Sequence, residues 1–302
     1  MSDKNKKVNT LMKWSGKKML NEEIANKILS VGETRRSMRV RSCSNSLELT
    51  KCNSCGKEHV SRVNLCRDRV CPVCQWRLAR KRAFEMLECL DIMNKDDKYK
   101  YQFLTLTQKN VEVSYLKKEL KKINEAWKRV ISSNRKNKPA GYARVVEITY
   151  NEKDKNFHPH QHVIIAWNRG QTPYKRLEWQ NTWRKALRVN YTPICRLRAI
   201  KPQKEQVKYT KAVLETFKYS IKANDILKMP NDIFGSFLGQ ISGSQVCSYT
   251  GIFRKTRQEL KMEAQTKIEK DDKEEIKCSN CGSELSKAVF SWSLADQEYI
   301  SK

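Results

Sequence analysis

Arg144-Val-Val-Glu-Ile-Thr-Tyr150 and His160-Gln-His-Val-Ile-Ile-Ala-Trp167 read as two strands, joined by the polar loop Asn151 to Phe157 into a β-hairpin. Alternate residues of a strand share a face, so His160 and His162 point the same way, with imidazoles close enough to chelate one divalent ion. Ile164 and Ala166 continue that face and exclude solvent. On the preceding strand Glu147 lies between Val145 and Thr149, where a carboxylate is costly unless it is paired or bound to metal, which makes it the natural third ligand. His158, behind Pro159, is an additional candidate. Two nitrogens and one oxygen suit Mn2+ or Mg2+ with open positions for a phosphate oxygen. The competing readings are a polar strand edge and a structural zinc site. Against both stands the concentration of histidine: the chain has 4, and three of them fall between positions 158 and 162.

Outward from the hairpin, Tyr101-Gln-Phe-Leu-Thr-Leu-Thr107 has the β-branched and aromatic character of a buried strand. Ser114 caps an amphipathic helix to about Asn134, with Leu116, Leu120, Ile123, Trp127 and Val130 on one stripe. A helix over about Tyr174 to Arg188, a strand around Ile194 to Ile200 and a helix over about Glu205 to Ala223 follow. This order gives an α+β fold: a central, mainly antiparallel sheet carrying the His-x-His strand, with helices on one face. On the last helix Lys211, Glu215, Lys218, Tyr219 and Lys222 share a side, opposite Val213, Phe217 and Ile221. A phenol, with a pKa near ~10, attacks phosphorus only when its phenolate is stabilised, here by Lys218, Lys222 and the histidine site. Glu215, one turn before Tyr219, is placed to accept a proton. A solvated surface face is the alternative.

Cys52-x2-Cys55 and Cys71-x2-Cys74, fifteen residues apart, have zinc-ribbon spacing, with Cys66 and His59 as alternative ligands. A structural Zn2+ there stiffens a basic segment, Arg62, Arg67, Arg69, Arg77 and Arg80, which with Lys211 is expected to contact DNA phosphates. Cys278-x2-Cys281 is half a site, and Cys43, Cys89, Cys195 and Cys247 read as packing residues. The expected organisation is a basic arm over 1–50, a zinc module and basic helix over 51–95, a catalytic domain over 96–228 and a helical region with a terminal C-x2-C over 229–302.

The 302 residues carry a net charge of +28 with 39% hydrophobic content, enough for a real core and too much positive charge for anything but a polyanionic partner. No apolar stretch approaches the ~20 residues that cross a bilayer, and no secretory pattern opens the chain. A cytoplasmic, reducing location without a membrane partner is therefore expected, and it fits metal-bound rather than disulfide-bonded cysteines.

Phe103-Leu-Thr-Leu-Thr107, His158-Pro-His-Gln-His-Val-Ile-Ile165 and Glu215-Thr-Phe-Lys-Tyr-Ser-Ile-Lys222 resemble, in order and spacing, the three motifs of plasmid rolling-circle replication initiators of the HUH (His-hydrophobic-His) endonuclease superfamily. Cys66-Arg-Asp-Arg-Val-Cys-Pro-Val-Cys-Gln-Trp76 resembles the cysteine-rich segment ahead of those motifs, so the likeness covers roughly residues 50–225. It implies an HUH, ferredoxin-like sheet, metal on His160 and His162, attack by Tyr219 on a DNA phosphodiester, and activation of water by Glu215 when replication ends. The implied partners are plasmid origin DNA with a single-stranded nick site, a host helicase and polymerase, and a second copy in a homodimer. Gln161 departs from the motif, being polar where a hydrophobic residue is usual. An HUH transposase or relaxase, and a non-catalytic zinc-ribbon nucleic-acid binder, are the rival functions. Most relaxases place their tyrosines ahead of the histidines, unlike the order here.

Overall fold

A computed structural model describes residues 10–133, 137–200, 207–271 and 277–301, without the side chains of 207–209 and 264–271. In chain order its elements are α1 (Thr10–Ser30), α2 (Thr34–Arg41), β1 (Ser46–Cys52), β2 (Glu58–Val63), α3 (Pro72–Asn94), β3 (Tyr99–Thr107), a 3-10 turn (Val113–Tyr115) and α4 (Leu116–Ser133). There follow β4 (Gly141–Asn151), β5 (Asn156–Asn168), α5 (Arg176–Leu187), β6 (Cys195–Ile200), α6 (Val207–Thr216), α7 (Ala223–Lys228) and α8 (Asn231–Gln240). The chain closes with β7 (Cys247–Thr250), α9 (Gly251–Asp271), β8 (Leu285–Ser293) and β9 (Glu298–Ser301). Two compact units result, one from residues 1–77 with 264–302, the other from 78–263.

The first unit holds a four-stranded sheet of order β2-β1-β8-β9, all pairs antiparallel. Where a basic arm is expected, residues 10–41 instead form two helices whose apolar sides are used: Trp14, Ile24, Ala25, Ile28 and Val40 are buried. The Asn21 side chain donates to the Val40 carbonyl at 2.6 Å and the Ser37 hydroxyl to the Ala25 carbonyl at 2.7 Å, which fixes α1 against α2. The C-terminal region, expected to be helical, ends in two strands. Thr50, Leu49 and Leu47 of β1 lie opposite Lys287, Ala288 and Phe290 of β8.

The second unit is built on a five-stranded sheet of order β6-β3-β5-β4-β7, antiparallel throughout. The α+β class and the central hairpin are as the sequence predicts. The helices, however, cover both faces rather than one, because β3, β4 and β5 are apolar on both sides. On one face Trp127 of α4 and Trp179 of α5 stack at 6.2 Å, and the Trp179 indole donates to the Gln102 side chain at 3.2 Å. On the other, Met86, Leu90 and Met93 of α3, Val213 of α6 and Phe253 of α9 pack on Tyr101, Phe103, Val145 and Ile164. The chain enters α9 through Gly251 at φ +54, where a Cβ would stand 1.9 Å from the Ala140 carbonyl oxygen, so only glycine fits.

Trp183 is fully buried and its indole donates to the Thr107 carbonyl at 2.8 Å, at the end of β3. Trp183→Ala removes a large core side chain and that bond together. It is expected to lower unfolding free energy by about 3–5 kcal/mol, read by chemical denaturation.

Candidate active site and metal centres

Register along the central strands assembles the first cluster. Glu147 of β4 lies directly opposite His160 of β5, and Thr105 of β3 lies opposite His162. The Glu147 Oε2 atom is 3.3 Å from His160 Nε2 and 3.2 Å from His162 Nε2. All three ligand atoms fall within 4.8 Å of one another. His160 Nδ1 stands 3.2 Å from the His158 carbonyl, which can only accept, so this nitrogen donates there and Nε2 is the atom turned to Glu147. His162 Nδ1 meets the Thr105 hydroxyl, which can donate or accept, at 3.0 Å, and its ring stacks on Phe103 with centroids 5.7 Å apart. Two imidazole nitrogens facing one carboxylate can share a proton or a divalent cation, and the outer contacts fix the ring orientations that would receive it. Burial alone would push the Glu147 carboxyl up, but hydrogen bonding and charge from His160 and His162 outweigh it and hold the group well below the usual range. The donor set fits a divalent metal.

His158 lies beside His160 on the same face, with ring centroids 5.3 Å apart, but its Nδ1 meets Asn110 Oδ1 at 2.8 Å and it stays outside the three-ligand group. Gln161 faces away, fully buried, and its Oε1 accepts from Arg144 Nη1 at 2.9 Å. The polar residue between the histidines thus serves a buried arginine, whose own pKa burial lowers to about 10.

Tyr219 is not on a helix. α6 ends at Thr216, and residues 217–222 run irregularly before α7 begins at Ala223. The spacing of Val213, Phe217 and Ile221 is helical and all three are buried, yet the backbone leaves the helix because β4 has unpaired edge groups beyond its pairing with β7. Ile148 N–H donates to the Ser220 carbonyl at 2.8 Å, and Val146 N–H to the Val246 carbonyl at 2.7 Å. This hydrogen bond sets the residue after Tyr219 beside the residue after Glu147. The one-turn relation between Glu215 and Tyr219 is lost: Glu215 sits in the last turn of α6, half-buried, and Tyr219 lies beyond it. Lys211, Lys218 and Lys222 are exposed.

Glu215 pairs with Arg198 of β6, Oε2 to Nη1 at 3.3 Å, rather than with its neighbouring lysines. Arg198 also lies over the Phe103 ring at 5.7 Å. Arg196 lies opposite Thr105 and Arg198 opposite Phe103, so both arginines share the sheet face of the histidine pair and both are exposed. Sequence reasoning missed these two. Their signal was the alternation Cys195-Arg-Leu-Arg-Ala-Ile200 on a strand next to the first motif.

The cysteines group differently from their order in the chain. Cys43, Cys66, Cys71 and Cys74 come together in one cluster, and Cys52, Cys55, Cys278 and Cys281 in another. The expected set Cys52, Cys55, Cys71 and Cys74 is therefore split between two clusters. Cys66 belongs to the first, Cys43 is a ligand candidate rather than a packing residue, and His59, on β2 opposite Thr50, belongs to neither. The split follows from β1: its C-terminal end carries Cys52 and Cys55 to β8 and the chain end, while Cys43, before the strand, stays with the start of α3. In the first cluster hydrogen bonds from Cys43, Cys66 and Cys71 hold the Cys74 thiol below its usual range, while those with Cys43, Cys66 and Cys74 push Cys71 up. Asp68, buried, accepts from Arg36 at 2.9 Å and Arg39 at 2.8 Å and ties α2 to this loop. Of the expected phosphate contacts, Arg62, Arg67 and Arg80 are exposed, Arg69 is half-buried, and Arg77 lies over the Trp14 ring at 5.3 Å.

Among the described residues, no helix is long and apolar enough to cross a membrane. No solved structure matches the chain. A chain called "Protein rep" from Streptococcus pneumoniae serotype 2 (strain D39 / NCTC 7466) is 27% identical over 312 residues, covering 99% of this chain and 95% of that one. Another of the same name from Staphylococcus aureus is 32% identical over 203 residues, 65% of this chain and 86% of its own. One from Bacillus sp is 27% identical over 263 residues, 80% of this chain and 86% of its own. The model of the family described as "Replication protein" matches residues 57–300, most of the chain, which therefore belongs to the replication protein family.

Proposed function

We propose that the protein is a plasmid replication initiator that nicks one strand of origin DNA with Tyr219, on an HUH-type sheet, in the cytoplasm. The observation that carries this reading is the convergence of Glu147, His160 and His162 on the sheet face at the strand whose neighbouring edge hydrogen-bonds the Tyr219 segment. A non-catalytic binder would have no use for it.

A divalent ion such as Mn2+ or Mg2+ on Glu147, His160 and His162 would polarise the scissile phosphate. The Tyr219 phenol loses its proton and its oxygen attacks phosphorus. The bond to the 3′ oxygen breaks, that oxygen leaves as a 3′-OH for a polymerase, and a 5′-phosphotyrosine link stores the bond. Lys218 and Lys222 favour the phenolate, and Arg196 and Arg198 hold the phosphates that flank the cut. The net charge of +28 supplies affinity for DNA. Structural Zn2+ stiffens the basic amino-terminal unit. A host helicase and polymerase then act on the opened strand. The test is incubation of purified protein with a supercoiled plasmid bearing its origin and Mn2+ or Mg2+. Nicked circles carrying covalently bound protein are expected, and binding without any nick would refute the reading.

Ending the reaction without staying attached requires an acceptor other than a second tyrosine, and Glu215 can act as base toward water. Its ion pair with Arg198 joins an exposed guanidinium to a half-buried carboxylate and contributes under ~1 kcal/mol, so releasing it costs little. Glu215→Ala is expected to nick and form the adduct but to accumulate products longer than one plasmid unit. Should it terminate as cleanly as the wild type, Glu215 serves only to pair with Arg198.

A further inference from the structure

Two clusters of four cysteines lie in the unit formed by both ends of the chain, and their geometry is that of metal-thiolate sites. Four sulfurs around a tetrahedral zinc at ~2.3 Å stand about 3.8 Å apart along each edge. In the first cluster Cys43 Sγ is 3.6 Å and Cys66 Sγ 3.7 Å from Cys74 Sγ. In the second, Cys52 Sγ is 3.4 Å from Cys281 Sγ and Cys55 Sγ 3.7 Å from Cys278 Sγ. These separations are far longer than a disulfide and close to a zinc tetrahedron. Backbone N–H groups point at the sulfurs in both: Cys55 N–H at Cys52 and Cys74 N–H at Cys71, each 3.4 Å, and Arg67 N–H at Cys74, 3.2 Å. Such donors stabilise thiolates and pre-form the ligand set.

We propose that the chain binds two structural zinc ions, and that the second, on Cys52, Cys55, Cys278 and Cys281, staples the C-terminal hairpin β8–β9 to the amino-terminal sheet. Cys52 and Cys281 are 229 residues apart in sequence, and β1 pairs with β8 along its whole length, from Ser46 opposite Ser291 to Cys52 opposite Leu285. Joining segments so distant costs chain entropy that one strand pair must otherwise bear alone, and a metal gripping both segments at the end of that pair offsets it. The two sites differ in access. Cys43, Cys71 and Cys74 are buried and Cys66 is partly so, whereas Cys55 and Cys281 are exposed. A chelator therefore reaches the staple first, and losing that zinc frees β8 and β9 while the helical part around the first site stays folded.

Metal analysis and native mass spectrometry of the full chain are expected to give two zinc ions per chain, with one remaining in Cys278→Ser/Cys281→Ser and one in Cys43→Ser. One zinc in the wild type, or two in either variant, would overturn the proposal. Because a variant can fail to fold, the wild type supplies a second test: chelator-driven release should be biphasic, with hydrogen-exchange protection of β8 lost in the fast phase and that of Cys71 to Gln75 kept until the slow one. Release in a single phase, or with both regions opening together, contradicts the staple. Cobalt titrated into metal-free protein should develop tetrahedral thiolate absorption up to two equivalents, and saturation at one would also overturn it.

Discussion

His162→Ala should abolish nicking while leaving most DNA binding in place. His162 is one of the three groups that converge on a single point, and its ring is held by Thr105 at 3.0 Å and by stacking on Phe103, so its Nε2 is aimed before any ligand arrives. Removing it leaves Glu147 and His160, a pair that can neither hold a divalent ion firmly nor orient it. The loss of electrostatic help at phosphorus amounts to about 4 kcal/mol of barrier, or roughly 1000-fold in rate. Affinity rests on charges spread over a chain of net +28 and should change little, with the same salt dependence. Single-turnover nicking on a supercoiled plasmid, paired with a binding titration across salt concentrations, separates the two effects. Nicking by His162→Ala in excess chelator at the wild-type rate would remove the metal from the account.

Tyr219→Phe has an equally large expected effect and a different signature. It deletes one oxygen from a half-buried residue held between two buried apolar anchors, Phe217 and Ile221, so folding and binding should stay close to wild type. The covalent adduct should vanish completely, because no bond to phosphorus can form without that oxygen. Metal binding should persist, since the Glu147, His160 and His162 cluster does not include the phenol. That combination, metal retained and adduct lost, distinguishes a missing nucleophile from a collapsed site. If the variant still forms an adduct, another tyrosine carries the chemistry.

The hairpin was legible in the sequence because period-two alternation places His160 and His162 on one face of their strand, and the observed register brings Glu147 onto that face opposite His160. The break after Thr216 was not legible. Val213, Phe217 and Ile221 keep helical spacing through a segment whose backbone is claimed by Ile148, and a hydrogen bond to a distant strand edge leaves no local trace. Helices on both sheet faces were legible in the unbroken apolar run Val163-Ile-Ile-Ala-Trp167 of β5, since a strand covered on one side alternates instead. The cysteines show a similar limit. Each C-x2-C turn is a local signal, but which turns share a metal depends on strand pairing between Ser46–Cys52 and Leu285–Ser293, and the nearer pair in sequence was the wrong partner. Arg196 and Arg198 lie in a short strand with no motif of its own, and only the pairing with Phe103 and Thr105 gives them a place beside the histidines.

Tyr219 is expected to become covalently joined to DNA beside the Glu147, His160 and His162 cluster. The most direct test is to trap the protein on an origin oligonucleotide with Mn2+, digest both, and sequence the modified peptide by mass spectrometry. A 5′-linked phosphonucleotide is expected on Tyr219, in the peptide spanning Phe217 to Lys222. A nucleotide on Tyr191, Tyr249 or any other side chain, with Tyr219 unmodified, would contradict it.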